Sequence, residues 1–231
     1  MKLAPLFSDF LSIIFPPQCH VCGRPLPRER RFLCSSCKDD LPLAAYNPES
    51  NPMTEALMQI REGGIGTAFM RYGVGNSCSV LIHDFKYRGF SRLARWLGKE
   101  AATRLQPTGF FNNQELILPI PLYRRKLRKR GYNQAMEIAK GISDATGIAI
   151  GDNLRAIRSH PTQTRLSHSA RMDNVEGIFE VRNPERLEGR NLLLVDDVFT
   201  TGATLLSAAR AVAASCRAVK INIFAIATAH R

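Results

Sequence analysis

Long apolar runs are absent. No stretch of the 231 residues approaches the ~20 that a membrane span needs. The N-terminal run 3–15 is apolar, but Asp9 interrupts it and no small-residue cleavage site follows. It is expected to form an amphipathic helix docked on the body rather than a signal peptide. Its polar face lacks the Lys and Arg of a membrane-surface helix. Acid is scarce too: 20 Asp and Glu stand against 32 Lys and Arg, a net charge of +12. Such an excess favours anionic partners, nucleic acid or phosphorylated metabolites, but sets no specificity by itself. Aromatics are few, and only Tyr123 and Tyr132 flank the most basic segment. That does not indicate a sequence-specific base reader. Without an export signal, the six cysteines point to metal or reduced thiols rather than disulfides, and the expected location is cytoplasmic.

What is present is concentrated in one run. Residues 192–204 read Leu-Leu-Leu-Val-Asp-Asp-Val-Phe-Thr-Thr-Gly-Ala-Thr. Apolar residues lead to adjacent carboxylates, Asp196 and Asp197, then to a loop of small and hydroxyl residues, then to an alanine-rich helical pattern over 205–214. The pattern predicts a buried parallel strand, a turn and a helix N-terminus. Free N–H groups at such a terminus form an anion site. Thr200, Thr201 and Thr204 can add hydroxyl donors, and Gly202 and Ala203 keep the loop small. Carboxylates at the carboxyl end of a strand suit a sugar diol or a magnesium ion rather than a phosphate. The parts together suit a phosphorylated ribose, diol on Asp196 and Asp197, 5′-phosphate on 200–204. A plain strand-to-helix turn capped by an acid needs one carboxylate and no threonine-rich loop.

Cys19-x-x-Cys22 and Cys34-x-x-Cys37 are two knuckles that can supply four thiolates to one tetrahedral zinc. Four thiolates close the coordination shell, so the expected role is structural. A module this small cannot bury a core, and metal would provide most of its folding free energy. His20 lies inside the first knuckle and could substitute as a ligand, though the spacing favours the cysteines. Disulfides are the alternative. Cys78 and Cys216 stand apart and are expected to be small buried side chains.

Between these motifs, 41–65 holds Pro42, Pro48, Pro52, Gly63 and Gly64 and reads as a connector with one helix over 53–61. A strand is expected over 66–75, a helix over 79–87, a helix opened by Ser91, and a strand over 116–121. Then comes a basic run, Arg124, Arg125, Lys126, Arg128, Lys129 and Arg130, broken by Leu127 and ended by Gly131. Asn133-Gln134 opens a helix through 142, and the last strand is expected over 219–227. The basic run could neutralise a pyrophosphate or a nucleic-acid backbone, or be a solvated face.

The 196–204 loop resembles the phosphoribosyl pyrophosphate (PRPP) motif of type I phosphoribosyltransferases. Over nearly its full length the chain resembles the ComF family, competence-related proteins with a zinc module before a phosphoribosyltransferase-like domain. The likeness rests on Cys19/Cys22/Cys34/Cys37, residues 83–89 (His-Asp-Phe-Lys-Tyr-Arg-Gly), 119–122 (Pro-Ile-Pro-Leu), 130–134 (Arg-Gly-Tyr-Asn-Gln), 161–164 (Pro-Thr-Gln-Thr), Arg171, Asn174-Val175 and the PRPP loop.

The resemblance implies an α/β fold: a type I phosphoribosyltransferase-like, parallel-rich sheet flanked by helices and preceded by a small four-cysteine zinc module. The implied layout is an N-terminal amphipathic helix (1–17), the zinc module (18–40), a connector (41–65) and the main domain (66–231). It further implies PRPP with Mg2+ as ligands, 119–122 as pyrophosphate loop and 159–171 as a hood. Lys86, Arg130 and Arg171 become candidates for pyrophosphate or hood contacts. Arg124, Arg125, Lys126, Arg128 and Lys129 remain candidates for nucleic acid. Two departures stand near the hood: Ala156 where an Arg is expected and His160 where Thr is common. Thr200 stands where purine-salvage enzymes place an Asp, which lowers the case for a purine acceptor.

Two functions follow. One is an enzyme that transfers phosphoribose from PRPP to an unidentified acceptor. The other is a single-stranded DNA-handling protein, working with DNA-uptake or helicase machinery, that uses PRPP only as a regulatory ligand. A zinc-ribbon transcription factor would leave the phosphate loop unexplained.

Overall fold

The structure is a computed structural model, and it describes residues 16–27, 31–158 and 177–229. The strands are β1 (Gly63–Arg71), β2 (Leu116–Pro119), β3 (Ala149–Ile150), β4 (Leu154–Ala156), β5 (Phe179–Val181), β6 (Asn191–Phe199) and β7 (Lys220–Thr228). The helices are α1 (Ser35–Asp39), α2 (Pro52–Leu57), α3 (Ser77–Tyr87), α4 (Ser91–Leu105), α5 (Arg124–Arg130), α6 (Gln134–Thr146) and α7 (Ala203–Ser215). Five strands form one sheet in the order β1-β7-β6-β2-β3, with every pairing parallel. β4 and β5 form a separate antiparallel pair. The expected N-terminal helix lies outside the described residues.

A parallel sheet is covered on both faces, so its central strands are continuously apolar. Leu192, Leu193, Leu194 and Val195 of β6 are all fully buried. Side chains alternate between the faces. Leu193 and Val195 pack with α3, α4 and α6, while Leu192 and Leu194 pack with α2 and α7.

β2 leads through α5 and α6 to β3 on one side, and β6 leads through α7 to β7 on the other. These two adjacent strands send their connections in opposite directions. That divergence opens a crevice beyond their carboxyl ends, the place where open α/β sheets hold ligands.

Several boundaries differ from expectation, each for a tertiary reason. β1 starts at Gly63, inside the expected connector, because its glycines serve close approach rather than a turn. A Cβ on Gly63 would lie 2.2 Å from the Leu57 carbonyl oxygen, and one on Gly66 2.8 Å from Met53 Cβ. The missing side chains let α2 lie on the strand, and α2 ends at Leu57, short of residue 61. α3 begins two residues early because the Asn76 side chain caps it, accepting from Ser79 N at 3.0 Å. Ser91 does not cap α4; it is the first helical residue after Phe90. Asp196 and Asp197 lie near the carboxyl end of β6, as expected, and the strand runs two residues further because pairing with β7 continues to Phe199 and Thr228. Cys78 and Cys216 are buried, as expected.

Candidate functional site

A cleft of about 490 Å³ opens at the divergence of β2 and β6. Its floor is Asp196, Asp197 and Val198 from β6. Its walls are Lys86 of α3, residues 120–123 after β2, Lys126 and Arg130 of α5, and Thr200 and Thr204. Ala156, Arg158, Ile178 and Phe179, on and beside the β4–β5 pair, also line it. The expected hood 159–171, with Arg171, lies outside the described residues.

Because strand side chains alternate, the two adjacent carboxylates serve different neighbours. Asp197 is 8% exposed and turns to the α3 face. There Lys86 Nζ lies 2.8 Å from Oδ1, and Arg130 Nη1 lies 4.0 Å from Oδ2. Asp196 turns towards the start of α7 and lines a smaller concavity of about 90 Å³ with residues 198–205. It accepts a hydrogen bond from Asp197 N at 2.8 Å. Desolvation first, and the like charge of Asp197 second, push the Asp196 carboxyl up to about 7. A cation or a hydroxyl donor placed there would relieve both penalties.

The loop itself is tightly specified. Gly202 sits in the left-handed region at φ 73° and caps α7. A Cβ there would be 2.6 Å from the Phe199 ring as well as strained. The Thr201 hydroxyl accepts from Ala203 N at 3.5 Å, and Thr200 and Thr201 are exposed. α7 therefore begins at the concavity, and its first-turn N–H groups have no carbonyl of their own helix to bond.

The basic run divides in two. As helix α5 it turns Lys126 and Arg130, four residues apart, into the cleft. Arg130 donates to Gln134 Oε1 at 2.9 Å, and its guanidinium lies 5.7 Å from the Tyr87 ring centre. Burial, then the Arg130 charge, lowers the Lys126 ammonium below its ordinary range. Arg124, Arg125, Arg128 and Lys129 are exposed on the remaining surface of α5. Lys126, grouped by sequence with the nucleic-acid candidates, thus stands with Lys86 and Arg130. Of the expected pyrophosphate loop, Ile120 N continues the pairing with the Val195 carbonyl at 2.9 Å, and Asn133 holds the Ile120 carbonyl at 3.0 Å.

At the other end of the chain, the sulfurs of Cys19, Cys22, Cys34 and Cys37 all lie within 4.8 Å of one another. Cys22 and Cys34 sulfurs are 3.8 Å apart, the edge of a tetrahedron with Zn–S bonds of about 2.3 Å. The donor set therefore fits zinc. Backbone amides aim into the cluster: against the upward push of burial, those of Cys22, Cys34 and Val21 bring the Cys19 thiol down to about 6. His20 is not among the ligands, because its Nδ1 lies 2.5 Å from Asp84 Oδ2 on α3.

The family described as a double zinc ribbon domain matches residues 10–48; among the described residues there is one four-cysteine group. The DNA utilization protein YhgH of Salmonella typhimurium is 29% identical over 197 residues, 83% of this chain and 82% of that protein. Competence protein F of Haemophilus influenzae is 32% identical over 132 residues, 55% of this chain and 58% of that one. Competence protein ComFC of Bacillus subtilis is 27% identical over 157 residues, 67% and 61% of the two chains. The chain is a homologue of these ComF- and YhgH-type proteins. Among solved structures, the glutamine PRPP amidotransferase of B. subtilis matches 62% of this chain at 18% identity and a TM-score of 0.41. The match spans 30% of that enzyme's length.

In this homologue, residues 83–88 carry more than sequence reasoning assigns to them. Of these, sequence names only Lys86 as a site candidate, yet its neighbours also have partners. His83 packs against Tyr87 with the rings tilted by 43° and 5.2 Å between centres, and Tyr87 faces Arg130. Asp84 meets His20 and, at 3.4 Å, Arg88. Phe85 is fully buried, and its carbonyl accepts from the Tyr132 hydroxyl. An acid at 84 amid apolar helix positions is the available signal, since a buried carboxylate needs a partner.

Proposed function

We propose that the cleft binds PRPP with Mg2+, and that the protein serves DNA uptake or DNA utilisation as the names of its relatives suggest. The observation that carries the reading is the division of labour between Asp196 and Asp197. One carboxylate borders the threonine-lined concavity, and the other borders three basic side chains. PRPP has a 5′-phosphate, a diol and a pyrophosphate, and the cleft offers a surface suited to each. Thr200, Thr201, Gly202, Ala203 and Thr204 would take the 5′-phosphate. Asp196 and Asp197 would accept from the ribose hydroxyls and hold the metal. Lys86, Lys126 and Arg130 would stabilise the charge on a departing pyrophosphate. Mg2+, when bound, supplies further neutralisation of that leaving group.

Calorimetric titration of PRPP with Mg2+ into the zinc-loaded protein tests this. Binding heat is expected from the wild type and none from Asp196→Asn/Asp197→Asn. An unchanged isotherm in the variant would remove these acids from the site. If transfer occurs, pyrophosphate is released in the presence of an acceptor. Binding without release in any acceptor screen favours the regulatory role of PRPP.

A specific observation supports the second reading, direct handling of single-stranded DNA. Arg124, Arg125, Arg128 and Lys129 leave a charged surface outside the cleft. Neutralising these four is expected to weaken single-stranded DNA binding and flatten its salt dependence by about 0.7 in log–log slope per lost phosphate contact. PRPP binding should survive. DNA binding that is indifferent to the change would exclude α5 as the contact surface.

A further inference from the structure

The zinc module and the cleft grip the same helix. Asp84 and Lys86 are two residues apart on α3, hence on roughly opposite sides of it. Asp84 points out to the module and takes His20 Nδ1 at 2.5 Å. Lys86 points in to β6 and meets Asp197 at 2.8 Å. Both contacts are shielded from water: the His20 and Asp84 side chains are 12% and 5% exposed, those of Lys86 and Asp197 16% and 11%.

His20 has little freedom of its own. It sits between the metal-ligating positions Cys19 and Cys22, and its ring packs edge-on against Phe90 at 4.7 Å. The module is further tied to α4, where Lys38 pairs with Glu100 at 2.8 Å and Arg104 donates to the Lys38 carbonyl at 2.9 Å. The only contact among these that reaches α3 beside a cleft residue is His20–Asp84.

We propose that His20 is a positioning residue for the cleft: through Asp84 it sets the rotation of the last turn of α3, and so keeps Lys86 on Asp197. The anion affinity of the cleft then depends on an intact zinc module. Removing the imidazole leaves a buried carboxylate with only the exposed Arg88 at 3.4 Å and the exposed His83 at 4.0 Å. In the proposal the last turn of α3, released from its tether to the module, turns, and this relieves the destabilising burial of an unpartnered carboxylate. That rotation carries Lys86 with it. The PRPP consequence rests on the proposed function; the Lys86 consequence does not.

Two readouts separate them. The first uses ligand-free protein: reductive methylation of the Lys86 amine, followed by mass spectrometry, at verified zinc content. Lys86 should be protected in the wild type and reactive in Asp197→Asn, with His20→Ala approaching the latter. Wild-type protection in His20→Ala overturns the proposal. The second is PRPP affinity by calorimetry. His20→Ala is expected to weaken it about fivefold or more, yet to have no further effect in a Lys86→Ala background, because both changes remove one contact. Equal losses in both backgrounds would mean a general structural role and overturn the proposal. If the wild type fails to bind PRPP, the function falls while the methylation result still judges the linkage. Should His20→Ala lose zinc, Asp84→Ala breaks the same contact from the α3 side: Lys86 should again become reactive, and wild-type protection of Lys86 overturns the proposal.

Discussion

Asp196 and Asp197 are chemically identical and adjacent, yet the pleat gives them opposite surroundings. Lys86 neutralises one, while the other is desolvated beside a like charge. The carboxyl of Asp196 is raised to about 7 from an ordinary 3.8. Between those values the folded protein holds a proton that the unfolded chain has released. The contribution of this group to stability is therefore complete below 3.8 and is lost as pH rises through about 7. A ¹³C-carboxyl NMR titration of ligand-free protein should place its midpoint near 7. Asp197→Asn should move it down, since the like charge goes while the amide hydrogen bond stays. A midpoint in the ordinary carboxylate range would mean that water reaches Asp196 freely.

At the scale of elements, α4 and α6 cross through two glycines. A Cβ on Gly98 would lie 2.2 Å from the Ile138 carbonyl oxygen, and one on Gly141 1.9 Å from that of Arg95. Both obstacles are backbone, so neither can swing aside. Helix propensity alone would favour Gly141→Ala by about 1 kcal/mol, but overpacking at such distances costs about 3 kcal/mol. A net loss of about 2 kcal/mol is expected in urea unfolding. A stabilised variant would show that the helices stand further apart. This crossing matters for the site because α6 follows directly on α5, whose Lys126 and Arg130 it helps to hold over the cleft. Gly131, at φ 78°, makes the sharp stop between them.

On the scale of the whole molecule, the metal module is a brace rather than an appendage. Cys19, Leu26 and Leu33 belong to the same buried cluster as Leu93, Leu97 and Phe85. Phe32 lies 5.7 Å from the ring of Trp96, the single tryptophan. Stripping zinc with a mercurial titrant of thiolates should therefore change Trp96 fluorescence and lower the melting temperature of the entire domain. Melting that ignores zinc would mean that the module folds separately.

What was legible in the amino-acid sequence follows from local physics. The run into Asp196-Asp197 and its threonine loop marks a strand, a turn and a helix, because period and composition speak directly to such elements. The paired Cys-x-x-Cys knuckles mark a zinc module, because coordination chemistry dictates their spacing. Asn133 announces a helix start. Other features depended on contacts between residues far apart in sequence. Gly63 reads as a loop residue until α2 is laid on it. Lys126 reads with the nucleic-acid candidates until a helical turn sends it inwards beside Arg130. Most of all, nothing near His20 in sequence announces Asp84. Local sequence determines which chemistry is available, since side-chain type and period are properties of neighbours. Which groups share a cleft, and which carboxylate meets which cation, was decided by tertiary structure, since only packing brings distant charges out of water together.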